Sequence, residues 1–121
     1  MADVATLIDN YIATWNERDA GRRRTLVAQT FADDADYLDP LMSGEGPDDI
    51  DAMIAAVQRQ YGDYRFELAA GPDAHNDRVR FTWQLVHNGD GVPVATGYDF
   101  GTLSQDGRLQ SVTGFLETPQ Q

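Results

Sequence analysis

The apolar residues of this chain change period once, at Gly62, and that change limits the folds open to it. Before Gly62 they recur at helical spacing. Val4, Leu7, Ile8, Tyr11, Ile12 and Trp15 form one stripe, with Asp3 placed to cap it. Residues 22–30 predict a shorter helix, with Leu26, Val27 and Phe31 as its apolar contribution and a break at Ala32-Asp33-Asp34. Residues 36–39 read as a short strand and 43–46 as a loop. Pro47 then opens a third helix, where its missing N–H costs nothing, with Asp48, Asp49 and Asp51 in the first turn and Ile50, Met53, Ile54, Val57 and Tyr61 as the stripe.

After Gly62 the period is two. Residues 64–68, 78–86, 92–103 and 109–117 predict strands, and Val79, Phe81, Trp83 and Leu85 share one face. Residues 71–77 read as a turn. Asn88-Gly89-Asp90-Gly91 is a hairpin signal, and Gln105-Asp106-Gly107 turns the chain into the last strand. Helices segregated from a four-strand meander predict an α+β fold in one domain over residues 1–121, three helices on a curved, mostly antiparallel sheet that encloses a pocket.

Charge narrows the partners. A formal net charge of −11 argues against nucleic acid and anionic membranes, both of which call for cationic contacts. All nine basic residues are arginines, a bias that genome composition explains without function. Cysteine is absent, so disulfide and thiolate chemistry are excluded. With no basic leader before an apolar run, the expectation is a soluble cytosolic protein.

Asp39 is the acid in unusual company. It lies in Tyr37-Leu38-Asp39-Pro40-Leu41-Met42, whereas most other acids fall in polar stretches. A carboxylate stripped of water holds a proton more tightly and suits a general base. Pro40 biases it toward extended backbone. Other chemistries find no support. Two histidines, His75 and His87, give no clustered metal set; the acids from Asp34 to Glu45 lack the glycine that a calcium loop requires; no lysine follows Gly44 and Gly46; no nucleophile elbow occurs. No cofactor and no metal are expected.

Three stretches carry a resemblance: Asn10 to Asn16 with Asp19, Phe31 to Ala35 leading to Asp39-Pro40, and Tyr98-Asp99-Phe100 followed by Asp106-Gly107-Arg108-Leu109. On these the chain resembles the cone-shaped nuclear transport factor 2 superfamily, in its ketosteroid isomerase and SnoaL-like polyketide cyclase branch. The resemblance implies that Tyr11 donates to a substrate oxyanion, that Asp39 moves the proton, and that Asp99 is held protonated beside Tyr11. It also implies a supporting tyrosine in the third helix, where this chain has Ile54. Alternation alone leaves open whether Asp99 faces solvent or the pocket.

Trp15, Met53, Val57, Phe66, Phe81, Trp83 and Phe115 are the candidate pocket walls. The expected activity is cofactor-free proton transfer on a small, largely apolar or polycyclic carbonyl compound, ending in isomerisation or aldol cyclisation. The rival readings are a non-catalytic ligand-binding module and a dimerisation module. Apolar residues on both faces of the strand carrying Tyr98, Phe100 and Leu103 point to a homodimer.

Overall fold

The computed structural model describes residues 3–117. Three helices, α1 (Val4–Asn16), α2 (Ala20–Thr30) and α3 (Gly46–Gln60), pack on one face of a curved six-stranded sheet that does not close. Its strands are β1 (Phe31–Leu38), β2 (Ser43–Glu45), β3 (Tyr64–His75), β4 (Arg78–His87), β5 (Pro93–Leu103) and β6 (Leu109–Glu117), in the order β2-β1-β6-β5-β4-β3. The meander of β3 to β6 is antiparallel, as the hairpin signals predict, and β1 runs parallel to β6.

The α1 stripe turns Ile8, Tyr11 and Trp15 onto the sheet, and α3 contributes Ile50, Met53 and Ile54. Val79, Phe81, Leu109 and Val112 meet them from the strands. Asn16 fastens the end of α1 to an edge strand: its amide donates to Phe66 O and accepts from Phe66 N, both at 2.8 Å. That pairing copies a strand ladder and fixes the direction of the Phe66 ring.

Short α2 has little apolar surface of its own. A buried ion pair holds it instead, Arg23 Nε to Asp51 Oδ1 at 2.8 Å, with Arg23 Nη1 donating to Gln58 Oε1 at 2.9 Å. Gln58 donates onward to Trp15 O and Glu17 O, so one polar chain links all three helices.

Several boundaries differ from the sequence reading. Asp51 is not a first-turn acid of α3; it turns inward to Arg23, and only Asp48 and Asp49 occupy that turn. Asp3 precedes α1 without a side-chain cap bond, whereas Asp19 caps α2 by accepting from Arg22 N at 2.9 Å. Phe31 begins β1 rather than serving α2, and Ser43 to Glu45 is a strand paired with β1 rather than a loop. Gly71-Pro72-Asp73 is no turn. β3 runs through it to His75 with two register shifts, because an edge strand tolerates a residue that lacks an N–H. Gly71, at φ +90, lies so close to β4 that a Cβ there would stand 3.1 Å from Arg80 O.

Candidate active site

Helices and sheet border an open-mouthed cavity of about 640 Å³. Trp15, Met53, Val57, Phe66 and Trp83 line it, from α1, α3, β3 and β4. Phe66 links the other two aromatics edge-on, with ring centroids 5.3 Å from Trp15 and 5.2 Å from Trp83. Trp83 lies flat over Gly97, where a Cβ would come within 2.1 Å of the indole.

Tyr11, Tyr37 and Asp39 line the cavity, and Asp99 is bonded to Tyr11 without lining it. Tyr11 is 1% exposed and packs edge-on against Phe81 at 5.1 Å. Its hydroxyl donates to Asp99 Oδ2 at 2.7 Å. Asp99 is 2% exposed and points inward, while its neighbours Tyr98 and Phe100 point out. Its second oxygen, Oδ1, is buried without a partner. Burial pushes Asp99 up to about 6; the Tyr11 hydroxyl and the Trp83 indole oppose that rise, and the charge of Asp39 adds to it. Tyr11 is raised well above the ordinary tyrosine value, first by burial and then by the Asp99 charge.

Asp39 also reaches the cavity, though its setting differs from the apolar one expected. It is half-buried and closes a tight turn, with Leu41 N and Met42 N donating to Oδ1 at 2.8 and 2.9 Å. Tyr37 donates to its other oxygen at 2.6 Å. Three donors thus fix the carboxylate. Tyr37 is 3% exposed, and burial, the Asp99 charge and the bond to Asp39 all raise it.

The two tyrosine–aspartate pairs are neighbours because of β6. Gly114 pairs with Asp99 in the sheet, and on its other side β1 brings up Tyr37 and Asp39. A Cβ on Gly114 would meet Asp99 Oδ1, Asp39 Cβ and Tyr37 Oη. In this arrangement each tyrosine proton is committed to a carboxylate. A carbonyl oxygen placed at Tyr11 gains that proton when Asp99 carries one of its own.

Of the residues singled out in the sequence, Tyr11, Asp39 and Asp99 come together, and Trp15, Met53, Val57, Phe66 and Trp83 face the cavity. Two wall residues do not. Phe81 lies behind Tyr11 in the core, because Tyr11 covers it, and Phe115 is 60% exposed on the opposite face of the sheet. Ile54 is fully buried and supplies no hydroxyl. Tyr37 is the residue that sequence reasoning passed over. Its signal was its place two residues before Asp39, a spacing that turns two side chains of an extended stretch to one side. His87 packs on the Tyr64 ring and accepts from Gly89 N; it does not line the cavity. Among the described residues no group of three His, Cys, Asp or Glu side chains is arranged to hold a metal ion, and no helix is long and apolar enough to cross a membrane.

Residues 8–112 match the SnoaL-like domain family. Among solved structures, the chain is similar to a candidate isomerase of the SnoaL-like family from Agrobacterium tumefaciens, at 46% identity and a TM-score of 0.88, over 93% of this chain and 96% of that one. It shares its fold with a SnoaL-like protein of unknown function from Burkholderia thailandensis (15% identity, TM-score 0.73, 97% and 98% covered). It also shares it with a candidate polyketide cyclase from Sinorhizobium meliloti (19% identity, TM-score 0.69, 90% and 93% covered). A search of curated protein sequences found no match.

Proposed function

This chain belongs to the SnoaL-like domain family, and on that premise we propose that it catalyses cofactor-free proton transfer on a small, largely apolar carbonyl compound. The observation that carries the reading is the pair of tyrosine–aspartate contacts, Tyr11 to Asp99 at 2.7 Å and Tyr37 to Asp39 at 2.6 Å, of which Tyr11, Tyr37 and Asp39 line an apolar cavity. Its volume of about 640 Å³ suits a ligand of several fused rings or smaller.

Asp39 takes the proton from the carbon beside the carbonyl. The C–H electron pair becomes the enolate double bond, and the carbonyl π pair moves onto oxygen. Tyr11 donates to that oxygen while a protonated Asp99 donates to Tyr11 in turn. Return of the proton to another carbon completes an isomerisation. Attack of the enolate carbon on a second carbonyl, whose oxygen then takes the proton from Asp39, completes an aldol cyclisation. Placement in the cytosol rests on composition alone.

The test is hydrogen exchange at the carbon next to the carbonyl of small cyclic ketones in deuterated water, followed by NMR. Asp39→Asn is expected to slow exchange at least about 100-fold. Exchange that survives this substitution removes Asp39 as the base. Tight ligand binding without exchange in the unaltered chain favours a second reading, a non-catalytic binding module. That reading draws on Ile54, which leaves α3 without a hydroxyl for the site. Exposed Tyr98, Phe100 and Phe115 on the outer sheet face support self-association of two copies in either case.

A further inference from the structure

The two tyrosine–aspartate contacts are not equivalent. Of the first, only Tyr11 lines the cavity; of the second, Tyr37 and Asp39 both do. The acceptor sites on Asp39 are also unevenly used. Oδ1 receives Leu41 N at 2.8 Å and Met42 N at 2.9 Å, while Oδ2 receives the Tyr37 hydroxyl alone, at 2.6 Å. A carboxylate oxygen accepts about two hydrogen bonds, so Oδ1 is filled and Oδ2 keeps one site open. A proton taken up by Asp39 therefore arrives on Oδ2, the atom that holds Tyr37. The Tyr37 hydroxyl also lies beside the other pair. A Cβ on Gly114 would stand 3.6 Å from Tyr37 Oη and 2.9 Å from Asp99 Oδ1. The rings of Tyr37 and Tyr11 flank that of Trp15, at 5.7 and 6.3 Å.

We propose that Tyr37 is a second oxyanion donor, switched on by the proton that Asp39 removes from the ligand. Before that step the negative charge is on Asp39, and Oδ2 holds the Tyr37 proton. The C–H proton then bonds to the open site on Oδ2, and the electron pair it leaves behind carries the charge to the carbonyl oxygen. The oxygen of a carboxylic O–H is a weak acceptor, whereas the enolate oxygen is a charged, strong one. The Tyr37 hydroxyl turns from the first to the second and joins Tyr11 there; no proton leaves Tyr37. The bond is absent in the ketone complex and present in the enolate complex, the condition under which binding lowers a barrier. A strand residue of β1 thus gives the site the further hydroxyl that Ile54 of α3 does not supply. The inference rests on the reading of Asp39 as the base.

Asp39→Asn makes the test, because its amide imitates the protonated acid. With the amide oxygen held by Leu41 N and Met42 N, the NH2 group faces Tyr37 and donates to it, which frees the Tyr37 proton before any chemistry. The probes are naphthol, whose oxygen stands in for that of the enolate, and naphthalene, which has none. Tyr37→Phe is expected to cost naphthol about tenfold more affinity in the Asp39→Asn chain than in the unaltered one. Naphthalene should stay within about twofold in both. Equal costs in the two backgrounds, or equal costs for both probes, overturn the proposal.

Exchange of ketone hydrogens gives a second readout. Tyr37→Phe should lower kcat about tenfold and leave KM within about twofold, since the ketone itself receives nothing from Tyr37; a rise in KM with kcat unchanged overturns the proposal. Where Tyr37→Phe does not fold, 3-fluorotyrosine in place of Tyr37 keeps the hydroxyl and makes it a stronger donor. Naphthol should then bind more tightly to the Asp39→Asn chain and unchanged to the chain with Asp39; no change in either overturns the proposal. Exchange that survives Asp39→Asn removes the base and the switch with it. Exchange lost without coupling between positions 37 and 39 removes the Tyr37 role alone and leaves Asp39 as the base.

Discussion

The side chains of Asp39 and Asp99 converge over Gly114. A Cβ at that glycine would stand 2.9 Å from Asp99 Oδ1 and 3.1 Å from Asp39 Cβ. Asp99 from β5 and Asp39 from the turn after β1 meet at a position of β6 that has no side chain. Gly114→Ala is therefore expected to push one of them aside. The loss should exceed tenfold in naphthol affinity, with about 1–3 kcal/mol of stability lost to overpacking. Titration calorimetry and thermal melts measure the two effects. Unchanged binding would mean that the two acids do not act together.

Gly97 makes a parallel prediction for the apolar end of the cavity. A methyl group there would overlap the Trp83 ring at 2.1 Å, and a rigid indole cannot yield by a small rotation. Gly97→Ala should expel Trp83 from the cavity wall, cost about 1–3 kcal/mol, and shift tryptophan fluorescence toward the red. Naphthalene and naphthol should both bind more weakly.

Asp99 should impose a pH dependence on stability. Its folded value of about 6 exceeds that of an unfolded aspartate, so the folded chain holds the proton more tightly. The contribution is complete below about pH 4 and is lost as pH rises through about 6. Comparing the chain with Asp99→Asn by urea denaturation at several pH values isolates this group. Relative to that variant, the unaltered chain should lose about 2–3 kcal/mol between pH 4 and 7. Exchange of ketone hydrogens should fall over the same upper limb, because the proton that frees Tyr11 is then gone.

The buried Arg23–Asp51 pair should be costly to halve. Removing either partner leaves an uncompensated charge between α2 and α3. Arg23→Met or Asp51→Asn is expected to lower stability by about 3–5 kcal/mol. Replacing both with apolar residues should recover most of it. Chemical denaturation of the two single variants and the double one tests this, and additive losses would count against a pairwise role.

Tyr98, Phe100 and Phe115 form an aromatic patch on the outer sheet face, Tyr98 lying opposite Phe115 across β5 and β6. If two copies meet there, sedimentation should detect a dimer. Phe115→Glu should shift it to monomer while leaving naphthol binding intact, since Phe115 is on the far side of the sheet from the cavity. A monomeric unaltered chain would remove this reading.

Much of the fold was legible because it depends on local patterns. The apolar spacing of α1 and α3 and the alternation of β4 to β6 are properties of short segments, and they located those elements to within a few residues. The errors fell where long-range pairing overrides local preference. Gly71-Pro72-Asp73 carries turn residues but lies in β3, because β4 supplies a ladder for the chain on either side. Ser43 to Glu45 became a strand because β1 was there to pair with. Asp51 suited a helix start as well as a buried ion pair, and only the position of Arg23 chose between them.

The candidate site divides the same way. Local pattern was enough to place an acid before a proline at Asp39, to turn Tyr11 inward with the α1 stripe, and to separate helices and sheet into layers. These follow from periodicity and from backbone restrictions on single residues. The apolar setting expected for Asp39, by contrast, gave way to three hydrogen-bond donors. The tertiary structure alone decided that Asp99 points inward to Tyr11, that Tyr37 joins Asp39, and that Phe115 belongs to the other face. Those outcomes depend on strand register. A shift of one residue along β5 or β6 would turn the same side chains to the opposite side of the sheet, and no local pattern records which strand lies beside Gly114.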